Sequence, residues 1–247
     1  MTNTLRCKEN VESKNSGYCG KPVPVEVYMQ PFYNIQDDSI CGAELLVRGS
    51  GTSASYVLDE YRKAEKLQDL DLFMIEQTAI IAREIGEIVN VNISGHSLLL
   101  EDTANKVSSI IRDYEAGALI MIEINEDSDF NSHIVHNNIN ELISNGLLLS
   151  LDDFNYMTNG FEVLAKYPVK QVKVKQTGLG EFTQQKLVVL KHLLEMTKEL
   201  GETLVIEGIE TMSQLEDLYK LGFERIQGYI ISEPIPYKLF VETFVIK

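Results

Sequence analysis

The sequence lacks any apolar run long enough to cross a membrane, since no stretch approaches the roughly 20 residues that a transmembrane helix needs. Its start, MTNTLRCKEN, also lacks the apolar core of a secretory signal peptide. Both absences predict a cytoplasmic protein that does not insert into a membrane.

Cysteine is scarce, and the chain of 247 residues contains only Cys7, Cys19 and Cys41. An odd number cannot pair completely within one chain, and the CxxC spacing common in zinc sites does not occur. The sequence therefore predicts free thiols rather than a disulfide framework or a zinc centre.

Basic residues are also few, because 22 Lys and Arg stand against 37 Asp and Glu, which gives a formal net charge of −15. Nucleic acids and anionic membranes attract proteins through basic surfaces. We therefore expect neither DNA nor a membrane among the partners. Any anionic ligand needs local cationic side chains or metal ions in its site.

What the sequence does contain is a regular alternation of short apolar runs and amphipathic stretches from Val23 onward, which is typical of repeated strand and helix units. The length of 247 residues suits a single α/β barrel of the TIM type, (β/α)8, which needs about 250. Residues 1–22 show no hydrophobic period, so we expect a flexible tail, 1–22, before one barrel domain, 23–247. The eight apolar runs are VPVEVYMQPFYNI, ICGAELLV, IVNVNIS, ALIMIEI, LLLSLDD, VKQVKVK, TLVIEG and ERIQGYI.

Local patterns refine this prediction. The turn-forming segment 36–39 joins the first two runs and indicates a hairpin, which a purely parallel barrel would not contain. The segment from Ser53 to Ile85 is long enough for two helices. Thr211 and Gln214 form the pattern of a capping box at a helix start. Met212 is expected to fill space in the core.

Polar residues fall within or near the carboxyl end of successive apolar runs. In a parallel barrel these ends form one rim, where residues distant in sequence converge. Two like charges about 4 Å apart repel by roughly 4 kcal/mol at an effective dielectric constant of 20, so gathered carboxylates favour divalent cations. Oxygen ligands select Mg²⁺ or Mn²⁺. The residues are Glu44, Asn92, Glu123, Asp152, Asp153, Lys173, Glu207 and Gln227.

Each of these residues also has a purely structural interpretation. Asp152 and Asp153 are typical of a turn or a helix cap, and Glu123 of a strand end at the surface. Lys173 fits an exposed residue of an edge strand, and Glu207 the acidic first turn of a helix. Such interpretations do not explain why nearly every run ends in a group that suits a metal or a phosphate.

Eight short motifs, in order from Tyr28 to Pro236, resemble those of the EAL domain family. Gln30 and Pro31 resemble its opening QP, and GAELLVR, residues 42–48, resembles the GAEALLR segment that names the family. VNVNIS carries the family's asparagine as Asn92, and IEINE resembles ELTE. LDDF, VKVK, IEGIET and QGYIISEP resemble LDDFG, LKID, AEGVET and QGYLFSRP.

The resemblance implies a modified barrel whose first strand is antiparallel. It implies a cyclic di-GMP phosphodiesterase of bacterial second-messenger signalling, which uses Mg²⁺ or Mn²⁺ and releases linear pGpG. By this analogy Glu44, Asn92, Glu123 and Asp152 hold one metal ion. By the same analogy Asp152 and Asp153 lead to a second metal ion. A pair of metal ions suits in-line attack on a phosphodiester.

The same resemblance assigns the remaining site residues. Lys173 and Glu207 position or deprotonate the attacking water, and Glu207 also lies close to the second metal ion in the family. Gln30, Arg48 and Gln227 contact the dinucleotide. A homodimer is implied as well.

The sequence departs from the family pattern at three places. Leu45 replaces the alanine of GAEALLR. Asn155 and Met157 replace two glycines in a loop that, in the family, connects the second metal ion with the dimer interface. Glu126, which steadies this loop in the family, is retained. Lys175 replaces an aspartate, so we expect it to oppose a second divalent cation or to replace its charge by pairing with Asp153 or Glu207.

Two alternatives therefore stay open beside the enzyme. The first is a catalytically inactive receptor that binds cyclic di-GMP through Arg48, Gln30 and Gln227. The second is an interaction module whose helices bind a regulatory protein partner.

Overall fold

The computed structural model describes residues 22–125, 128–154, 160–176 and 181–245. Except for Pro22, the predicted tail lies outside these residues, as do Cys7 and Cys19. Cys41 is a free thiol. The strands of the barrel are β1 (Val25–Asn34), β2 (Ser39–Gly49), β3 (Val89–Asn92), β4 (Ile120–Asn125), β5 (Leu148–Asp152), β6 (Gln171–Lys175), β7 (Thr203–Glu207) and β8 (Arg225–Ile226).

The eight strands close into a barrel, which confirms the predicted fold class. From β2 to β8 each strand runs parallel to the next. Strand β1 lies between β8 and β2 and is antiparallel to both, so the predicted hairpin is confirmed. A two-residue strand, β9 (Ile235–Pro236), pairs with β1. This arrangement places Gln30 opposite Glu44 in the hairpin.

Helices surround the barrel. Two of them occupy the segment from Ser53 to Ile85, as predicted, and the capping box of Thr211 and Gln214 is present. Met212 is 59% exposed at the first residue of its helix, so its expected place in the core is wrong. The helices are α1 (Ala54–Lys63), α2 (Leu67–Ile85), α3 (Gly95–Leu98), α4 (Thr103–Tyr114), α5 (His133–Ser144), α6 (Gly160–Lys166), α7 (Gln184–Leu200), α8 (Met212–Leu221) and α9 (Tyr237–Phe240), with a 3₁₀ turn at Gly117–Leu119 and a π-helical turn at Val241–Val245.

The apolar core lies between the barrel and its helices. Val89 and Val91 of β3 are buried, as are Ile75 and Ala79 of α2. Successive side chains of a strand point to opposite faces, so the residues between the outward-facing valines point into the barrel. The inward face is where the polar residues of the strands meet. Among the described helices, none is both long and apolar enough to cross a bilayer.

Candidate metal and catalytic site

Seven strands or strand ends bring the predicted polar residues to one end of the barrel interior. Parallel neighbours are paired so that Asn92 lies beside Glu123 and Lys175 beside Glu207. The structure brings together residues that are more than 180 positions apart, since Gln227 donates a hydrogen bond to Glu44 over 3.0 Å. The convergence expected from the fold is therefore present.

Lys173 lies at the centre of this group. Its side chain is 1% exposed, and β6 lies between β5 and β7, so the interpretation as an exposed edge-strand residue is wrong. Its ammonium contacts four carboxylates from four different strands. The distances from Lys173 Nζ are 2.6 Å to Glu207 Oε1, 2.9 Å to Glu123 Oε2, 3.1 Å to Glu44 Oε2 and 3.2 Å to Asp152 Oδ1.

Two asparagines hold the carboxylates of Glu44 and Glu123 from the side of β3. Asn92 donates from Nδ2 to Glu44 Oε1 over 2.8 Å and to Glu123 Oε2 over 3.3 Å. Asn90 donates to Glu123 Oε1 over 2.7 Å. The sequence analysis missed Asn90, although its spacing of two from Asn92 places both on the same face of a strand.

Asp71 of α2 fixes the turn that follows Asn92. It is buried, and its Oδ2 accepts hydrogen bonds from the Ser94 amide at 2.9 Å and from the hydroxyls of Ser94 and Ser97, each at 2.6 Å. Burial raises the pKa of Asp71, although these bonds oppose the shift. The helix layer thus anchors the strand end that carries Asn92, and no short motif reveals this contact.

Two glycines allow the ends of β7 and β8 to approach their neighbours. Gly208 has φ of +73°, a left-handed conformation that favours glycine. A Cβ on Gly228 would lie 2.0 Å from the carbonyl oxygen of Ile209, far closer than a carbon atom approaches an oxygen without a bond. These positions place Glu207 and Gln227, which precede the two glycines, at the rim.

Charge and burial act against each other in the inner carboxylates. Burial acts to raise the pKa of Glu44, but the charge of Lys173 and a hydrogen bond from Gln227 outweigh it and lower the pKa. Burial and the charge of Glu44 hold the pKa of Glu123 well above its ordinary value. Burial acts to lower the pKa of Lys173, but the surrounding carboxylates raise it well above its ordinary value, so the ammonium stays protonated.

The two carboxylates nearer the opening are also perturbed. Burial raises the pKa of Asp152, with Lys173 opposing the shift, and burial raises the pKa of Glu207 to about 7. Asp152 Oδ1 is buried and accepts no hydrogen bond, although it lies 3.2 Å from Lys173 Nζ. Four carboxyl groups surround a single ammonium, so acidic groups outnumber the cationic group by three. An oxygen-preferring divalent cation fits both the excess charge and the unbonded oxygen.

Asp153 lies outside this inner group, closer to solvent. Its backbone adopts a left-handed conformation with φ of +52°, and its carboxylate accepts a hydrogen bond from Asn125 over 3.3 Å. Oxygens of Asp152, Asp153 and Glu207 lie within 4.8 Å of one another. Lys175 Nζ lies 3.8 Å from Asp153 Oδ1, so the ion pair expected between these two residues is present.

A cavity of about 430 Å³ opens above these residues. Arg48 forms part of its wall, with its guanidinium carbon 6.0 Å from the centre of the Tyr28 ring. Gln30 also lines the cavity and donates to the carbonyl oxygen of Ser232 over 3.1 Å. Eight of the ten predicted site residues line the cavity, and they are Gln30, Glu44, Arg48, Asp152, Asp153, Lys173, Glu207 and Gln227.

The other two predicted residues, Asn92 and Glu123, join the site through their contacts with Glu44 and Lys173. Asn155, Met157 and Glu126 lie outside the described residues, so their predicted effects on the loop stay predictions. Leu45 is 1% exposed in the core, and the bulk that it adds is accommodated beside Glu44.

The model of the EAL domain family matches residues 24–234. The chain belongs to the EAL domain family. The match covers all eight strands of the barrel and every residue of the site described above. Strand β1 is antiparallel to both of its neighbours, as the family resemblance implied.

Curated relatives of the chain include proteins named as cyclic di-GMP phosphodiesterases. The phosphodiesterase RocR of Pseudomonas aeruginosa is 24% identical over 235 residues, which is 88% of this chain and 59% of RocR. The signaling protein YkoW of Bacillus subtilis is 23% identical over 238 residues, covering 90% of this chain and 29% of YkoW. The chain thus spans less than two thirds of the length of these relatives.

Solved EAL structures share the fold. An EAL domain protein from Listeria monocytogenes superimposes with a TM-score of 0.80 at 21% identity, covering 89% of this chain and 92% of that one. At this level of identity the likeness shows the architecture and leaves the chemistry to the residues of the site.

Proposed function

We propose that this EAL domain hydrolyses cyclic di-GMP to linear pGpG with Mg²⁺ or Mn²⁺ as its cofactor. The group of four carboxylates around the buried Lys173 carries the proposal, because its excess negative charge suits a divalent cation at the end of a cavity. The family match and the relatives named as cyclic di-GMP phosphodiesterases support the choice of substrate.

Glu44, Asn92, Glu123 and Asp152 would hold one divalent cation, because they lie on four adjacent strands and the ammonium of Lys173 lies within 3.2 Å of all three carboxylates. Asp153 extends this group toward solvent, and its carboxylate lies near those of Asp152 and Glu207. A bound cation would supply positive charge to the phosphate and lower the pKa of water.

Glu207 is the candidate general base. Its pKa of about 7 allows it to accept a proton near neutral pH, and Lys173 fixes its position at 2.6 Å. The oxygen of the attacking water forms a bond to phosphorus while the bond from phosphorus to one ribose oxygen breaks. That ribose oxygen is released and takes up a proton, which opens the ring to pGpG.

Arg48, Gln30 and Gln227 are the candidate contacts of the dinucleotide, since all three line the cavity. A guanidinium matches the geometry of a phosphate, whereas the amides suit polar edges of a base or a ribose. The strongly acidic chain needs such a local cation, because its overall charge of −15 repels an anionic ligand.

The test is turnover of cyclic di-GMP by the whole chain in the presence of Mn²⁺ or Mg²⁺. We expect pGpG to accumulate, and we expect Glu44→Gln to lower kcat/KM by about 100-fold or more because it removes a charged ligand. Glu195→Gln, on the exposed face of α7, is the matched control and should retain activity. Absence of pGpG with both metal ions would refute the proposal.

A cyclic di-GMP receptor is the second candidate function. The ion pair between Lys175 and Asp153 favours this receptor function. The ammonium of Lys175 pairs with a carboxylate that catalysis by two metal ions would need as a ligand. Calorimetric binding of cyclic di-GMP without turnover would select the receptor. Absence of both would select an interaction module with a regulatory protein partner.

Further features stay predictions of the sequence. They are the boundary between a tail, 1–22, and a domain, 23–247, the homodimer, the cytoplasmic location and the bacterial signalling role. A sedimentation measurement of the purified chain tests the homodimer directly.

A further inference from the structure

Lys175 lies at the outer edge of the carboxylate group. It is two residues beyond Lys173 on β6, so both side chains project from the same face of the strand. Its backbone is paired with that of Glu207 on β7, and its ammonium lies 3.8 Å from Asp153 Oδ1. Lys175 therefore stands beside two of the three residues that form the outer carboxylate group.

That outer group consists of Asp152, Asp153 and Glu207, whose oxygens lie within 4.8 Å of one another. The buried Lys173 contacts Asp152 and Glu207 from the barrel interior, whereas the more exposed Asp153 is paired with Lys175. Each of the two lysines thus neutralises a different part of the acidic site. The positive charge of Lys175 therefore repels any metal cation that approaches Asp153 from the cavity.

We infer that Lys175 acts as a tethered monovalent cation that excludes a second divalent cation from the outer carboxylates. The inference rests on the proposed function, because it concerns the metal content of the same site. The side chain of Lys175 is 61% exposed and that of Asp153 is 40% exposed, so the pair forms at the cavity mouth without burying an unpaired charge. The inner carboxylates, held by Lys173, Asn90 and Asn92, keep one divalent cation.

The test is a titration of the whole chain with Mn²⁺ alone, followed by calorimetry and by electron paramagnetic resonance of free Mn²⁺. Lys175→Met removes the charge and keeps the length of the side chain, whereas Lys175→Arg keeps the charge. Lys191→Met is the matched control, because Lys191 is 57% exposed and forms a similar pair with Glu195 at 3.9 Å on α7.

We expect one tightly bound Mn²⁺ in the unchanged chain and in Lys175→Arg. Lys175→Met should bind a second Mn²⁺ at the outer carboxylates about 10-fold more tightly than the unchanged chain does, because one adjacent positive charge is lost. Lys191→Met should behave as the unchanged chain.

Equal stoichiometry and affinity in Lys175→Met and in the unchanged chain would overturn the inference, and so would an equal gain in Lys191→Met. The proposed function is tested separately, since the loss of pGpG formation in the unchanged chain refutes it whatever Lys175→Met binds. A second Mn²⁺ that appears only in Lys175→Met supports the inference even if no turnover follows.

Discussion

The ammonium of Lys173 lies 2.6 Å from the carboxylate of Glu207, across the pair of strands β6 and β7 inside the barrel. The same ammonium reaches Glu44, Glu123 and Asp152, so one buried cation holds together side chains from β2, β4, β5 and β7. A buried charge is tolerated only when it is paired with an opposite charge, and here one lysine forms ion pairs with four carboxylates.

Replacement of Lys173 by methionine should destabilise the folded chain by roughly 3–5 kcal/mol, because it leaves buried carboxylates without their cation. Mn²⁺ should recover much of that loss, since a divalent cation supplies the missing charge. Thermal unfolding of Lys173→Met with and without Mn²⁺ measures both effects. Lys191→Met, which loses only an exposed pair, should change stability by less than about 0.5 kcal/mol.

The idea that Lys173 is the electrostatic centre of the site would be wrong if Lys173→Met unfolded at the temperature of the unchanged chain. It would also be wrong if Mn²⁺ raised the unfolding temperature of this variant no more than that of Lys191→Met.

Gly228→Ala should lower the free energy of unfolding by about 1–3 kcal/mol, because the new Cβ would lie 2.0 Å from the carbonyl oxygen of Ile209. The displaced loop should also weaken Mn²⁺ binding, since Gln227, which bonds to Glu44, precedes the glycine. Urea denaturation and Mn²⁺ titration measure the two effects.

Gly95→Ala is the control for that substitution. A Cβ at Gly95 would meet nothing closer than 3.4 Å, and its φ is not in the left-handed region, so the alanine should be tolerated. Equal losses of stability in the two variants would show that the close contact with Ile209 is not the reason why residue 228 must be glycine.

Glu202 provides a pH-dependent contribution to stability. Burial raises its pKa to about 7, with Lys170 opposing the shift, and its Oε2 is buried without a hydrogen bond. Because the pKa in the folded chain exceeds the ordinary value of 4.5, the stabilising contribution is complete below pH 4.5 and is lost as the pH rises through 7. The ionised carboxylate therefore disfavours the folded state at pH 8.

Glu202→Gln should accordingly stabilise the chain more at pH 8 than at pH 5. Glu202 is only half-buried, so solvent screening should keep the gain below about 1 kcal/mol. Urea denaturation at the two pH values measures it, with the exposed Glu199→Gln as the control. A gain that is independent of pH would contradict the assignment of this effect to Glu202.

Much of the fold could be predicted because its signals are local. The turn residues 36–39 and the flanking apolar runs predict the hairpin of β1 and β2, and the capping box at Thr211 marks a helix start. Met212 shows the limit of such reasoning, because an apolar residue in a helical pattern need not face the core. Which face of a helix is buried depends on what packs against it.

The site was predictable in composition and less so in its contacts. Polar residues at successive strand ends predicted the convergence, but Asn90 and Asp71 support the site from positions that no motif marks. Lys173 alone fits an exposed strand residue as well as a buried one. Only closure of the barrel distinguishes the exposed from the buried position, because closure turns one face of every strand toward the barrel interior.

The sequence by itself determined the order of strands and helices, the acidic charge and the residue types at each strand end, since these follow from hydrophobic period and composition. The tertiary structure decided which of those residues touch. It placed Lys173 among four carboxylates and Lys175 beside Asp153, because contacts between side chains distant in the chain depend on how the strands pair around the closed barrel.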